Sequence, residues 1–369
     1  MKINKYLFTV LIIILVESLA MKIFMFDIFP SKYFYDSNGI LKLISGLTIA
    51  DSSYMFAANF YKFINIFKFD SLEQWSYFLG IVGMIPIVKI MMKNKQYDVI
   101  QYIFIIMSIA LLNLYIFTLS KDFIQYLLFF IIYLILTNEK ISNVKKLIFS
   151  CIVLVLESLF FRVYYLLMAI IMVTIYCVYL FFIKNKKLDK KSFIRLIFLS
   201  VVLFFAEVFL VQLVSTDNYY SIMYARSSVN VLRINGSIDA QTIIKELFGT
   251  NTTFNIFVLN YLLNFVRLLI PVELLFKSVK YLPFVVYQII ICWIVIKNTK
   301  QVNDNNVLFV ITILSFFMIS TIFEPDFGSF IRHESAMFLI LLEMTNINKN
   351  YKVRDVNEEN RNSNFSENN

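Results

Sequence analysis

The chain has 369 residues, 59% of them hydrophobic and 16% charged, with a mean hydropathy of +0.73. Soluble domains are about 45–50% apolar and about 25% charged, and a soluble core has no room for 40 Phe and 22 Tyr. A soluble enzyme, a nucleic-acid-binding protein and a disordered chain are therefore excluded, and the net charge of +9 needs another explanation.

Apolar runs near the roughly 20 residues that cross a bilayer recur along the chain. Ten spans are expected, at about 6–26, 74–92, 98–118, 122–137, 147–161, 163–183, 194–214, 279–297, 306–323 and 331–346. Lys2 and Lys5 precede the first, and Glu17 interrupts it while apolar residues continue to Phe26. That pattern fits an uncleaved span better than a signal peptide. An outer segment follows, about 27–73. In it Asp36 or Ser37 stands ahead of Ile40, Leu41 and Leu43 as a helix N-cap. Further on, Asp51-Ser52-Ser53 can cap a helix that puts Phe56, Phe60, Phe63 and Phe67 on one face, an amphipathic element for the outer interface. Trp75 and Trp293 are expected at the membrane–water boundary.

The next turns carry Lys93 and Lys95, then Lys140, Lys145 and Lys146, then the cluster Lys184, Lys186, Lys187, Lys190, Lys191 and Arg195. Lys297 and Lys300 complete the set. With ten spans all of these fall on one side. That side is cytoplasmic by the bias of Lys and Arg toward short inner loops, and both termini lie there. Cys151, Cys177 and Cys292 lie inside apolar runs. No disulfide framework is expected, and a single His with no Cys-x-x-Cys argues against a metal site.

A second outer segment, about 215–278, holds Arg226, Arg233 and Gly236 in its polar half. In its apolar half Thr253, Asn260, Asn264 and Arg267 form one polar stripe before Pro271 breaks the helix. A re-entrant or interfacial hairpin is expected, its stripe lining a cavity. The fold class is thus all-α, a polytopic membrane helix bundle forming one domain over residues 1–346. Residues 347–369, rich in Asn, Glu and Ser, read as a disordered cytoplasmic tail.

Ionisable groups at membrane depth are costly and usually functional. The densest set is Glu324-Pro325-Asp326-Phe327-Gly328-Ser329-Phe330-Ile331-Arg332-His333-Glu334, between the last two spans. Pro325 and Gly328 suffice for a turn, so the rest invite a chemical reading, against the alternative of a self-paired charged turn. Arg332 has the donor fork that fits phosphate oxygens. His333 titrates near neutrality, and Glu324, Asp326 or Glu334 can deprotonate or hold a sugar hydroxyl. Arg162, in a short outer loop, runs against the charge bias. It either pairs with Glu157 or joins Arg226, Arg233, Arg267 and Arg332 in a basic pocket that stabilises a departing pyrophosphate. Asp27 and Asp36 are alternative acids after the first span.

Tyr33-Phe34-Tyr35-Asp36-Ser37 and the 324–334 segment resemble stretches of Wzy-type polymerases, the oligosaccharide repeat-unit polymerases of bacterial capsule and O-antigen clusters. The span count and the late, arginine-bearing outer loop are similar too. The resemblance implies a metal-independent glycosyltransferase of the plasma membrane with no cofactor. It would join undecaprenyl-pyrophosphate-linked repeat units at the outer face, with a chain-length regulator as a partner. Some members carry Gly eleven residues after an outer-loop Arg; here Ser237 follows Arg226 and Ile244 follows Arg233 at that distance. Two other readings stay open. One is a glycosyltransferase using a polyprenyl-phosphate sugar, with Asp36 or Asp27 as its acid. The other is a transporter or flippase, disfavoured by only seven Gly and five Pro.

Overall fold

The computed structural model describes residues 5–46, 52–93, 97–182, 190–235, 242–299, 304 and 306–345. Among them every regular element is helical, and an isolated bridge between Ile243 and Asp326 is the one strand-like pairing. In chain order the α-helices are α1 Lys5–Ile28, α2 Tyr35–Ile44, α3 Ser52–Ile64, α4 Leu72–Lys93, α5 Val99–Leu111, α6 Lys121–Thr137, α7 Asn143–Phe160 and α8 Tyr164–Phe182. Then come α9 Lys190–Val214, α10 Thr216–Met223, α11 Ala225–Asn235, α12 Phe254–Leu269, α13 Glu273–Lys277, α14 Leu282–Thr299, α15 Val307–Phe323 and α16 Phe327–Ser335. Residues 338–345 form a last helix, α17.

Six of these segments are long and apolar enough to cross a membrane: Lys5–Ile28, Leu72–Lys93, Val99–Ile116, Tyr164–Phe182, Lys191–Val214 and Val279–Asn298. Their outer faces carry rows of exposed apolar side chains, such as Phe8, Ile12, Val16 and Ile23 on α1, and Phe198, Leu210 and Leu213 on α9. Apolar faces of that extent are out of place in water and at home in lipid. The interior is built around α15, where every residue from Val307 to Ile322 is buried. Its Thr312, Ser315 and Thr321 hydroxyls donate to carbonyls four residues back, so no polar group is orphaned at those three positions. Helices α8 and α12 pack on it, and α7 and α9 pack on α8.

Local chemistry sets the helix ends. Asp98 and Gln101 form a reciprocal capping box at the start of α5. Ser120 caps α6, Thr253 caps α12 and Asp326 caps α16. Helix α5 ends in a π turn, Leu112–Ile116, with the Phe117 N–H donating to Leu112 O at 2.7 Å. Pro271 follows the end of α12, as expected.

Several expectations are corrected. The stretch 331–346 is not one continuous span: a turn at 336–337 separates α16 from α17. Trp75, near the start of α4, does not face outward. It is fully buried against the Tyr61 and Phe69 rings, whereas Trp293 is partly exposed with the Lys297 ammonium 4.2 Å above it. Helix α3 buries Ala57 and Ala58, small residues that let it approach α2 and α6, together with the large Tyr61 ring, and turns Phe63 outward at 86% exposure. Asp36 does not cap α2; Phe34 holds that position and Asp36 lies in the first turn. Asp51, Lys95, Lys184, Lys186, Lys187, Gly236, Lys300 and the 347–369 tail lie outside the described residues.

Candidate functional site

Helix ends from distant parts of the chain meet at one end of the bundle. The first turn of α6 brings Asp122. The break between α7 and α8 brings Arg162, the end of α15 brings Glu324, and α16 brings Arg332 and His333. Helices α2 and α3 cover them with Asp36 and Tyr54.

Asp122 is the centre. Its side chain is 4% exposed, and its two oxygens face two arginines, Arg162 Nη2 at 3.1 Å and Arg332 Nε at 3.1 Å. A buried carboxylate costs several kcal/mol unless paired, and these two cations, with the amino end of α6, compensate it. Arg332 reaches on to Asp36 Oδ2 at 3.2 Å, and the Tyr54 hydroxyl donates to Asp36 Oδ1 at 2.5 Å. Burial first, then the Asp36 carboxylate, push the Tyr54 phenol far above its usual range, so it remains the donor of that pair. The Lys121 ammonium sits 3.6 Å over the Tyr54 ring.

Arg162 also donates to Gln125 Oε1 at 3.0 Å and to the Tyr164 hydroxyl at 3.1 Å, and it lies 2.5 Å from His333 Nε2. A guanidinium has only donors. The contact therefore makes Nε2 an acceptor and assigns the ring proton to Nδ1, which donates to Glu324 Oε1 at 2.7 Å. His333 is thus a neutral imidazole oriented by a carboxylate. Burial would raise Glu324, but His333 beside it, with Arg162 and Arg332, outweighs burial and holds the carboxyl below its usual range. Its Oε2 has no hydrogen-bond partner.

The cluster is layered. Asp122, Glu324 and His333 form a buried floor at 4%, 2% and 6% side-chain exposure, under a rim of Arg162, Arg332 and Asp36 at 17%, 26% and 27%. Cations at the rim over fixed acids can trade their carboxylate partners for an incoming anion. No family model matches the chain, nor does any curated protein or solved structure. The site therefore stands on its own geometry.

Of the residues expected from sequence, Arg162, Arg332, His333, Glu324 and Asp36 are brought together. Arg332 does meet acids, but they come from α2 and α6 rather than from its own turn. Arg162 pairs with Asp122 and not with Glu157, whose carboxylate oxygens are buried without hydrogen bonds. The others are placed elsewhere. Asp326 caps α16, accepting from Ser329 N at 2.8 Å, Ser329 Oγ at 2.9 Å and Thr242 Oγ1 at 3.2 Å. Glu334 turns away to Gln288, whose Nε2 donates to it at 3.2 Å. Arg226 is buried and donates to the carbonyls of Glu324, at 2.9 Å, and of Thr321, closing the end of α15. Burial lowers its guanidinium to about 10, still charged at neutral pH.

Arg267 forms a bidentate ion pair with Glu273, its Nε and Nη2 donating at 2.6 and 2.8 Å, and it donates to Lys245 O and Asn264 Oδ1, each at 2.7 Å. Asn260 ties down the preceding loop through Phe248 N, Gly249 O and Asn251 Oδ1. The polar stripe of α12 therefore holds residues 245–251 against the helix instead of lining a cavity. The Arg233 side chain lies outside the described residues, and Asp27 is exposed at the end of α1. Sequence reasoning missed Asp122, Tyr54 and Gln125. The available signal was Ser120-Lys121-Asp122, an acid in the first turn of an apolar helix.

Proposed function

We propose that the chain is a membrane glycosyltransferase that polymerises undecaprenyl-pyrophosphate-linked oligosaccharide repeat units at the outer face of a bacterial plasma membrane. The observation that carries this reading is the pair Arg162 and Arg332, which reach one partly exposed rim from positions 170 residues apart in sequence. The ten-span topology with cytoplasmic termini belongs to the same proposal. Its support is that Asp36, Tyr54, Asp122, Arg162, Glu324 and Arg332, all assigned to outer connections or span ends by alternation, are the residues that meet. Asp98 and Lys297, assigned inside, pair with each other at 3.4 Å.

In the reaction a sugar hydroxyl of the acceptor attacks the anomeric carbon of the donor chain. The bond from that carbon to the pyrophosphate oxygen breaks, and the pyrophosphate leaves with the electron pair. Arg162 and Arg332 leave Asp122 and Asp36 in part to bind phosphate oxygens, where fixed donors stabilise the growing negative charge. Once Arg162 turns to a phosphate, His333 Nε2 faces the site with its lone pair free. The Glu324–His333 pair then accepts the hydroxyl proton. A chain-length regulator is the partner this reaction calls for.

A second reading is favoured by one observation, the rim position of Asp36. In it Asp36 is the base of a glycosyltransferase that uses a polyprenyl-phosphate sugar. Loss of product in Asp36→Asn with full activity in Arg332→Ala selects it. Deleting the gene tests the main reading. Single repeat units accumulate on lipid at the outer face if the chain is the polymerase, whereas their absence from that face identifies a flippase.

A further inference from the structure

A groove of about 790 Å³ lies between α1 and α4, at a distance from the arginine rim. The two helices run antiparallel: Lys22 lies against Gly80, and the Ser18 hydroxyl donates to Met84 Sδ at 3.6 Å. Gly80 makes the room, since a Cβ there would stand 2.8 Å from Lys22 Cε. Leu15 and Leu19 on α1 and Tyr77, Ile81, Ile85 and Val88 on α4 supply apolar walls.

The ends differ. At one, the Lys22 ammonium donates to Asn113 O at 3.2 Å and Phe117 O at 2.6 Å, so its charge is directed to the carbonyls of the π turn and away from the groove. At the other, Lys89 and Lys93, one turn apart on α4, are exposed and line the mouth. Gly80 and Lys93 are about 20 Å apart along the helix. The shape asks for one long hydrocarbon chain, and the two mouth ammoniums ask for an anion joined to it.

We propose that the groove binds an anionic phospholipid, one acyl chain between α1 and α4 and the phosphate held by Lys89 and Lys93. The proposal rests on the membrane reading of the chain and not on the polymerase reading. The mouth decides against the polyprenyl-linked sugar as occupant. Lys93 ends α4 five residues before Asp98, the partner of Lys297, whereas Arg162 and Arg332 gather at the opposite end of the bundle. A lipid with its headgroup at Lys89 and Lys93 presents that headgroup on the face away from the arginines, where basic residues attract the anionic lipids of the inner leaflet.

The test is native mass spectrometry of the full-length protein in mild detergent, titrated with phosphatidylglycerol and, separately, phosphatidylcholine. Phosphatidylglycerol is expected to bind selectively. K89Q/K93Q should weaken it about thirtyfold, from the usual contribution of two lysines at a membrane surface. Both side chains are exposed, so this variant keeps its melting temperature in lipid-free detergent. Ile85→Trp, which fills the groove, should abolish binding while leaving the lysines in place. Equal retention of both lipids, unchanged affinity in K89Q/K93Q, or displacement of phosphatidylglycerol by equimolar undecaprenyl phosphate overturns the proposal.

Discussion

Asp122 and Asp326 show how differently two buried acids can be used. Both stand at or next to the start of a helix, yet Asp326 has its oxygens filled by its own helix and Thr242, while Asp122 faces arginines from two other segments. Asp326→Ala should therefore lower stability by about 1 kcal/mol, the usual value of an N-cap, and leave polymer length unchanged; thermal melting and surface-glycan gels check both halves. Asp122→Ala leaves two arginines without their buried counter-ion. It should cost about 3–5 kcal/mol, read as a sharp fall in the amount of folded protein, with Asp122→Asn milder because one oxygen still accepts. The sequence made Glu324, Arg332 and His333 conspicuous because polar groups in an apolar background are rare. It hid Asp122 because one acid beside Lys121 at a helix start reads as an ordinary first-turn residue. It also suggested catalysis for Asp326 and Glu334 because adjacency in sequence says nothing of side-chain direction: on α16 His333 points to Glu324 and Glu334 points to Gln288.

At the scale of elements, the site is held by breaks rather than by helices. The π turn at Leu112–Ile116 leads into the 117–120 connection that caps α6 and so positions Asp122. Its Phe117 ring packs on the α4 backbone at Gly83, where an added Cβ would collide with the ring. Gly83→Ala should therefore displace that turn. Overpacking of this kind costs about 1–3 kcal/mol, and transfer activity should fall although the substitution touches no residue of the rim; melting temperature and glycan length measured together check it. Helix α12 illustrates the limit of pattern reading. Its polar stripe was legible from the spacing of Thr253, Asn260, Asn264 and Arg267. What the stripe faces was not, because a loop stitched by Asn260 and a solvent cavity ask for the same residue types. The turn at 336–337 was equally hidden: residues 331–346 are apolar enough to suggest one helix, and no Gly or Pro marks the break.

For the whole molecule, the distribution of Lys and Arg already separates the two ends of the bundle, and the six long apolar segments were legible from composition and length. The proposed topology predicts that Ser228→Cys, exposed in the 215–278 segment, reacts with a membrane-impermeant maleimide in intact cells, and that Lys140→Cys reacts only after lysis, both in a background without the native cysteines. The reverse labelling pattern contradicts that topology. In that topology the excess of inner lysines accounts for orientation, and the outer arginines are left for another explanation. Of that outer set, Arg226 and Arg267 hold the fold together, while Arg162 and Arg332 remain at the rim over buried acids. The central claim is that this rim receives a lipid pyrophosphate. Its most direct test is the surface glycan of cells carrying Arg332→Ala, with membrane levels of the protein matched to the unaltered chain. Loss of the long-chain ladder with accumulation of single repeat units is the predicted result, and a normal ladder would contradict it.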